Sequence, residues 1–472
     1  MSAHLPEQVR HQRPLVHAIT NFVTMDWVAR GLLAAGARPV MARDLREAAL
    51  AAGGADALVL NLGTWSPDVQ AAMVAAGKVA NTRNIPVVLD PVGAGAMATR
   101  TAAALDLLQT VQVTAIRGNV GEIAALAGES GLVSGVDSRP VGRTDAGEVV
   151  RRVALQYGAV IAATGEQDFV SDGVQTRVVT SGHPLMAQIP GTGCLVSALM
   201  AAGLAASVGD RNRVEVVADV LLWAGAAGEE SARLARGPGS FAVSYLDALA
   251  AIDTLPAGRI APPLDSQLSV YVLVNGTTSV ATLQTLLDAG VRAIQFREKG
   301  LPLREQMAVA SEMRARCHQG GALFIVNDRV DVAMAVAADG VHLGQDDLPV
   351  SQARLLLGPQ AIIGATCETV AEVRAAAAAG ASYIGTGPVY ATPTKADAGA
   401  PYGPMVVERA AAATRLPVVG IGGIGIGTAA PVIRAGGCGV AVISSVLGAA
   451  DPASAAQILV REVAKAKEEN LR

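Results

Sequence analysis

Apolar residues in this chain come in short unbroken runs rather than in strict alternation. In the first half such runs occupy residues 57–60, 86–89, 113–116 and 160–163, and each passes directly into small polar residues. A strand that is apolar on both faces is covered on both faces, which points to a parallel sheet between layers of helix. Ala-rich helical segments separate the runs, as that architecture requires. The polar loops Asn61-Leu-Gly-Thr64, Asp90-Pro-Val-Gly-Ala-Gly95, Arg117-Gly-Asn119 and Thr164-Gly-Glu-Gln-Asp168 then lie beyond the carboxyl ends of strands. Open α/β sheets bind their ligands there. The second half holds eight strand starts, near Ser269, Ala293, Leu323, Val341, Ile362, Tyr383, Pro417 and Val440. Helical patterns separate most of them, which predicts a (β/α)8 barrel, with a doubly wound sheet as the alternative.

At 472 residues the chain exceeds the roughly 250–300 residues that one hydrophobic core supports, so two domains are expected. The run LPAGRIAPPLDSQ, residues 255–267, has prolines and a glycine but no amphipathic period. A linker is therefore placed at 257–267, between domains 1–256 and 268–472, with Gly237-Pro-Gly-Ser240 as a rival joint. Aromatic residues are only 3% of the chain, which leaves Val, Ile, Leu and Ala to fill the cores. A net charge of -4 offers no footprint for nucleic acid or an anionic membrane, so phosphate binding must come from local constellations. Four dispersed cysteines without a CxxC pair argue against a disulfide framework or structural zinc. Neither a signal-peptide core nor a run of about 18 apolar residues occurs, so a cytoplasmic location is expected.

Two constellations carry chemistry. In the first half, Gly191-Thr-Gly-Cys194 opens an apolar helix. Glycines there let backbone N–H groups approach an anion where the helix dipole also favours negative charge, although glycine before a helix is often only a turn. Asp90, Arg117, Asn119, Glu122 and Thr164 are the parts expected around nucleotide phosphates and Mg²⁺. In the second half, Gln295, Arg297 and Lys299 alternate along a strand end and share one face, which suits a diphosphate. Asn327-Asp328 and Asp347 follow neighbouring strands, and their carboxylates suit Mg²⁺ on that diphosphate. Thr392-Pro-Thr394-Lys395 adds hydroxyls and a cation. Gly422-Gly423 and Ile443-Ser444 follow the last two strands, where barrels of this type bind phosphate.

These motifs carry a resemblance. The first ~255 residues resemble hydroxyethylthiazole kinases of the ribokinase-like group, on Ile19-Thr-Asn21, Gly36-Ala-Arg-Pro-Val-Met41, Asp90 to Gly95, Arg117 to Glu122, Thr164-Gly165 and Gly191 to Cys194. The resemblance implies that Met41 and Gly191 touch the thiazole alcohol and that Arg117 and Thr164 bind ATP. It further implies that Asp90 and Glu122 organise Mg²⁺ and its water. Cys194 stands where related sugar kinases have aspartate, and it is either a modest base or a positioning group. Asp26 and Arg30 replace the more usual asparagines, and the family commonly forms trimers, so a homo-oligomer through this domain is expected.

From about residue 266 the chain resembles thiamine-phosphate synthases. That resemblance puts the pyrimidine diphosphate on Gln295, Arg297, Lys299, Asn327, Thr366 and Lys395. It puts Mg²⁺ on Asp328 and Asp347, and the thiazole phosphate on Thr392, Thr394, Gly423, Ile443 and Ser444. Thr366 replaces a serine and Asn275 an aspartate. Together the halves imply thiamine biosynthesis. The alcohol 4-methyl-5-(2-hydroxyethyl)thiazole is phosphorylated by ATP, then joined to hydroxymethylpyrimidine diphosphate, giving thiamine phosphate and diphosphate. Two rivals are a precursor-sensing protein with one decayed site, and a kinase for another small alcohol.

Overall fold

The computed structural model describes residues 4–128, 133–134, 137–138, 143–207, 212–256, 259–392 and 400–470. Two compact units, Met1–Pro262 and Pro263–Arg472, each enclose their own core.

The first unit is built on β1 (Leu15–Ile19), β2 (Arg38–Val40), β3 (Ala57–Asn61), β4 (Val87–Asp90) and β5 (Ala115–Asn119). The short β6 (Val133–Ser134) and β7 (Asp137–Ser138) pair only with each other. Next come β8 (Val160–Thr164), β9 (Asp168–Ser171), β10 (Thr176–Val179) and β11 (Ile260–Ala261). The sheet runs β11-β10-β9-β8-β5-β4-β3-β1-β2, parallel from β8 to β2 and antiparallel at the β9–β11 edge. Every residue of β3 and β4 is buried, as their unbroken apolar character requires. Val16, Ala57, Val59 and Val88 enter one helical layer, while Ile19, Leu58, Leu60 and Leu89 enter the opposite one. The helix Thr192–Ala206 is apolar almost all round because it is covered almost all round. It lies between the sheet and the helices Leu5–Gln12 and Arg213–Leu234.

The second unit is a closed barrel of eight parallel strands. They are β12 (Val270–Val274), β13 (Ala293–Phe296), β14 (Leu323–Asn327), β15 (Gly340–Leu343), β16 (Ile362–Thr366), β17 (Tyr383–Thr386), β18 (Val418–Ile421) and β19 (Gly439–Val442). β12 and β19 close it, with Val270 opposite Val440. Val270, Val272, Val274 and Ile294 point outward to the helices, whereas Tyr271, Leu273, Tyr383 and Val419 fill the interior. The eight strands start within one residue of the positions read from the sequence, and the barrel, not the doubly wound alternative, is what forms. No helix among the described residues is long and apolar enough to cross a membrane.

The Pro-rich joint is structured over much of its length. Ile260 and Ala261 pair with Val179 and Val178, and Arg259 donates to the Thr180 carbonyl at 2.9 Å while meeting Glu229 at 3.3 Å. Leu264–Gln267 is a helical turn belonging to the barrel, where Lys467 donates to the Asp265 carbonyl at 3.1 Å. A chain divided after Pro262 is therefore expected to give two folded fragments, each with a cooperative thermal transition by circular dichroism. A first fragment ending at residue 256 loses the edge strand and the Arg259 contacts. It should be less stable than 1–262 by about 1–2 kcal/mol. Equal denaturation midpoints for the two would show that this edge contributes nothing.

Candidate active sites

In the first unit the sheet register sets the site. Asn61 ends β3 and Asp90 ends β4, and the two are register partners. Asn61 Nδ2 donates to Asp90 Oδ2 at 2.8 Å, and the Ser197 hydroxyl donates to the same oxygen at 2.9 Å. Asn21 Nδ2, just beyond β1, donates to Asn61 Oδ1 at 3.1 Å and lies 3.4 Å from Cys194 Sγ. A polar ladder thus ties three strand ends to the first turns of the helix Thr192–Ala206. Asp90 Oδ1 is buried and has no partner among the described residues. Burial raises the Asp90 pKa against the pull of Arg117, Ser197 and Asn61. Burial, then the Asp90 charge, raises the Cys194 thiol above its ordinary value, so at neutral pH it is a protonated thiol.

Arg117 on β5 bonds the Thr164 hydroxyl at the end of β8. Its guanidinium fills the space beside Gly193, where an added Cβ would lie 2.3 Å from Arg117 Nη1. Gly191 caps the helix at φ 89°, and a Cβ there would lie 2.5 Å from Thr24, so glycine is required both by conformation and by space. Arg117, Thr164, Gly191 and Cys194 therefore converge on one helix N-terminus. Met41 packs against the same extended apolar cluster as Trp27 and Cys194. Glu122 is engaged with backbone. Its Oε2 accepts from Asn119 N and its Oε1 from Gly93 N, both at 2.8 Å, so it braces the loop after Asp90 against the end of β5. Burial first, then Asp90, raises its pKa. Asp26 and Arg30 pair with each other at 2.8 Å on an exposed helix face, with no contact to the ladder.

The second unit has a cavity of about 850 Å³ at the carboxyl ends of its strands. Gln295, Arg297, Lys299, Asn327, Asp328, Asp347, Thr366, Thr392, Gly423, Ile443 and Ser444 all line it. Thr394 and Lys395 lie outside the described residues. Asp328 is held at φ 62° by its N–H to the His342 carbonyl at 2.8 Å, a left-handed conformation that Asp tolerates better than most residues. Its pKa is pushed up to about 6 by burial and by hydrogen bonding and charge from Asp347, with Lys299 and Arg297 opposing. Asp347 Oδ2 accepts from Gly344 N at 2.6 Å. Among the described residues there is no cluster of three metal-ligating side chains. The crowded Asp328–Asp347 pair still suits a divalent cation whose other ligands are substrate oxygens. Asp90, with one orphaned oxygen, suits one too, and each Glu122 oxygen keeps a second lone pair beside its backbone hydrogen bond.

Three features escaped the sequence reading. Glu298, between the two cations, accepts from Gly276 N at 2.7 Å, Gly300 N at 2.6 Å and Leu301 N at 3.2 Å, and so fixes the loop that carries them. Asn275, flagged in the sequence only as a replacement for aspartate, accepts from Thr277 N at 3.1 Å in its own turn. A buried row through Tyr271, Tyr383 and His342 floors the cavity. Its one titratable imidazole, His342, is lowered to about 4 by burial.

The raised Asp328 pKa has a sign that can be measured. Between about pH 4, the unfolded value, and about pH 6 the folded state retains a proton that the unfolded state has lost. Stability should therefore fall as pH rises through this window, in the absence of divalent cations. Asp328→Asn should raise the barrel's melting temperature at pH 7.5 and lose that advantage at pH 4. A variant no more stable than wild type at pH 7.5 would contradict the crowding of the pair.

Comparison with known proteins assigns a family to each unit. The sequence model of the hydroxyethylthiazole kinase family matches residues 7–254, and that of thiamine monophosphate synthase matches residues 270–446. The thiamine biosynthesis bifunctional protein ThiM/ThiE of Symbiobacterium thermophilum is 62% identical over 476 residues, covering 98% of this chain and 99% of its own. A hydroxyethylthiazole kinase of Chloroflexus aggregans is 45% identical over 272 residues, 57% of this chain and 96% of its own. Another, of Rubrobacter xylanophilus, is 47% identical over 246 residues, 52% of this chain and 90% of its own. The chain belongs to the bifunctional ThiM/ThiE family, with a hydroxyethylthiazole kinase unit followed by a thiamine-phosphate synthase unit.

Proposed function

We propose that the two constellations described above carry the two family activities in succession. The chain phosphorylates hydroxyethylthiazole with ATP and couples the thiazole phosphate to a pyrimidine diphosphate, as its family membership gives. The observation that carries the residue assignments is one cavity in which Arg297 and Lys299 face the Asp328–Asp347 pair.

In the kinase unit, Arg117, Thr164 and the N–H groups after Gly191 bind the ATP phosphates, and the alcohol lies by Met41 and Gly191. The alcohol oxygen attacks the γ-phosphorus as the bond to ADP breaks, and the alcohol proton passes to an oxygen of the transferred phosphoryl group and on to water. Cys194, a neutral thiol beside Asn21, positions the alcohol rather than taking its proton. Phosphoryl transfer depends chiefly on such positioning and on charge neutralisation. Asp90 would hold Mg²⁺, and Glu122 keeps the adjoining loop in place.

In the synthase unit, Arg297, Lys299 and Lys395 neutralise the diphosphate as the bond from methylene carbon to oxygen breaks. The pyrimidine ring stabilises the cation left behind, and the thiazole nitrogen attacks it, so no protein nucleophile is needed. Asn327 and Thr366 bind the pyrimidine diphosphate, while Thr392, Thr394, Gly423, Ile443 and Ser444 hold the thiazole phosphate in register. Mg²⁺ on Asp328 and Asp347 would supply further charge neutralisation of the departing diphosphate. Assembly through the kinase unit and a cytoplasmic location belong to the same proposal.

Two variants test these roles. Asp328→Asn and Asp347→Asn should each reduce coupling by at least about a hundredfold while kinase turnover is unchanged. Wild-type coupling in both would sink the metal assignment. Cys194→Ser should keep kinase turnover within about tenfold of wild type. Loss of turnover in a folded variant that still binds ATP would show that the thiol is the base.

A further inference from the structure

The loop after β18 carries Gly422, Gly423 and Ile424 along the barrel cavity, then runs through Gly425 and Thr428 into the helix Ala429–Arg434. Gly422 and Gly423 stand at φ 96° and 64°, two consecutive left-handed residues, so the chain turns sharply there. The near end of the loop is bound to the segment that leads to Thr392. Tyr390 N donates to the Gly422 carbonyl at 2.9 Å, and the Tyr390 hydroxyl donates to the Thr428 carbonyl at 3.3 Å. A Cβ on Gly423 would lie 2.4 Å from the Ala391 carbonyl oxygen. The far end is held by a carboxylate from the last helix of the chain.

Glu462, on the helix Pro452–Asn470, accepts three backbone N–H groups. Its Oε2 takes Gly427 N at 2.8 Å, and its Oε1 takes Ala429 N at 3.1 Å and Ala430 N at 3.0 Å. The first N–H groups of a helix have no partner within it and carry its positive end, so a carboxylate suits them in both hydrogen bonding and charge. At the other end of the same helix Asn470 Nδ2 donates to the Ile433 carbonyl at 2.8 Å, and Arg434 meets Glu469 at 2.9 Å. From Glu462 to Asn470 a helix rises about 12 Å, enough to span the about 9 Å of Ala429–Arg434. The C-terminal helix therefore clamps Ala429–Arg434 at both ends. It is itself fixed by Leu459 and Val463 in the buried core, and by Lys467, whose Nζ donates to Ser269 Oγ at 2.6 Å.

Thr428 completes the division of donors, because its Oγ1 accepts from Gly425 N at 2.9 Å. The N–H groups of Gly425, Gly427, Ala429 and Ala430 are thus committed within the protein. Those of Gly423 and Ile424 have no acceptor among the described residues, and both residues line the cavity. We propose that Glu462 is a positioning residue for the thiazole phosphate. By holding Gly427 and the start of the helix, it keeps the Gly423 and Ile424 N–H groups turned to the cavity for the phosphate oxygens. Glu462 is not among the residues that line the cavity, so it acts through the loop. The inference rests on the thiazole-phosphate reading above.

The test compares Glu462→Ala and Glu462→Gln with wild type in the full-length protein. Glu462→Ala removes all three contacts, and KM for the thiazole phosphate should rise at least about tenfold. Glu462→Gln keeps one oxygen for Ala429 and Ala430 and loses Gly427, so its KM should fall between the other two. KM for the pyrimidine diphosphate and kinase turnover should not change. An unchanged KM for the thiazole phosphate in folded Glu462→Ala overturns the proposal. So does an equal rise in both KM values, which marks a general loosening of the barrel. Amide hydrogen exchange of ligand-free wild type, resolved residue by residue, tests the clamp without a variant. Slow exchange at Gly427, Ala429 and Ala430 is expected, because an uncapped helix start exchanges freely. Free exchange at Gly427 overturns the proposal even if neither variant folds. A wild type that does not couple the thiazole phosphate would overturn the synthase reading instead, leaving the exchange at Gly427 to decide the clamp.

Discussion

The structure depends on parallel strands that all end at the same edge. Parallel pairing with helical crossovers buries each strand on both faces and leaves its carboxyl end as the place where polar side chains emerge together. In the first unit this aligns Asn61 with Asp90 and Asn119 with Thr164. In the second it delivers Gln295, Asn327 and Thr366 to one cavity. The price is carboxylates held where water cannot fully solvate them. Asp90 and Asp328 are both raised by burial, and each is relieved by nearby arginine. Neither relief is complete, so each carboxylate would gain from a cation placed beside it.

The units solve the same problem with different supports. In the kinase unit a long buried helix brings its N-terminus to the sheet edge, and an asparagine ladder orients Asp90 without neutralising it. In the barrel, cations from one strand end oppose a carboxylate pair from two others. Glu298 and Glu122 play parallel parts. Each lies next to functional groups yet spends its charge on backbone N–H groups, holding a loop in place.

Much of this was legible in the sequence because strand ends announce themselves. An apolar run that stops at Asp, Asn, Arg or Thr marks both the strand and the site, and the eight barrel strands were placed in this way. Residues whose role depends on partners distant in sequence were not legible. Tyr271, Tyr383 and His342 carry no shared signal in the sequence, and only closure of the barrel puts their polar atoms in line. The backbone hydrogen bonds of Glu122 were not legible either, because they depend on how the loop after Asp90 folds back onto the end of β5. Asp26 and Arg30, which replace the more usual asparagines, satisfy each other across a four-residue helical spacing. The Pro-rich joint read as spacer because a two-residue edge strand leaves no periodic signal.

The central claim is that the carboxylate pair in the barrel is an incomplete site, completed by a divalent cation and a diphosphate together. The direct measurement is the melting temperature of the full-length protein with Mg²⁺ alone, inorganic diphosphate alone, and both. Binding to the folded state alone raises stability in proportion to RT ln(1 + [L]/Kd). The account predicts that the combination stabilises the barrel by more than the sum of the separate shifts, and that Asp347→Asn removes the excess. Additive shifts, or an excess that survives in Asp347→Asn, would contradict it.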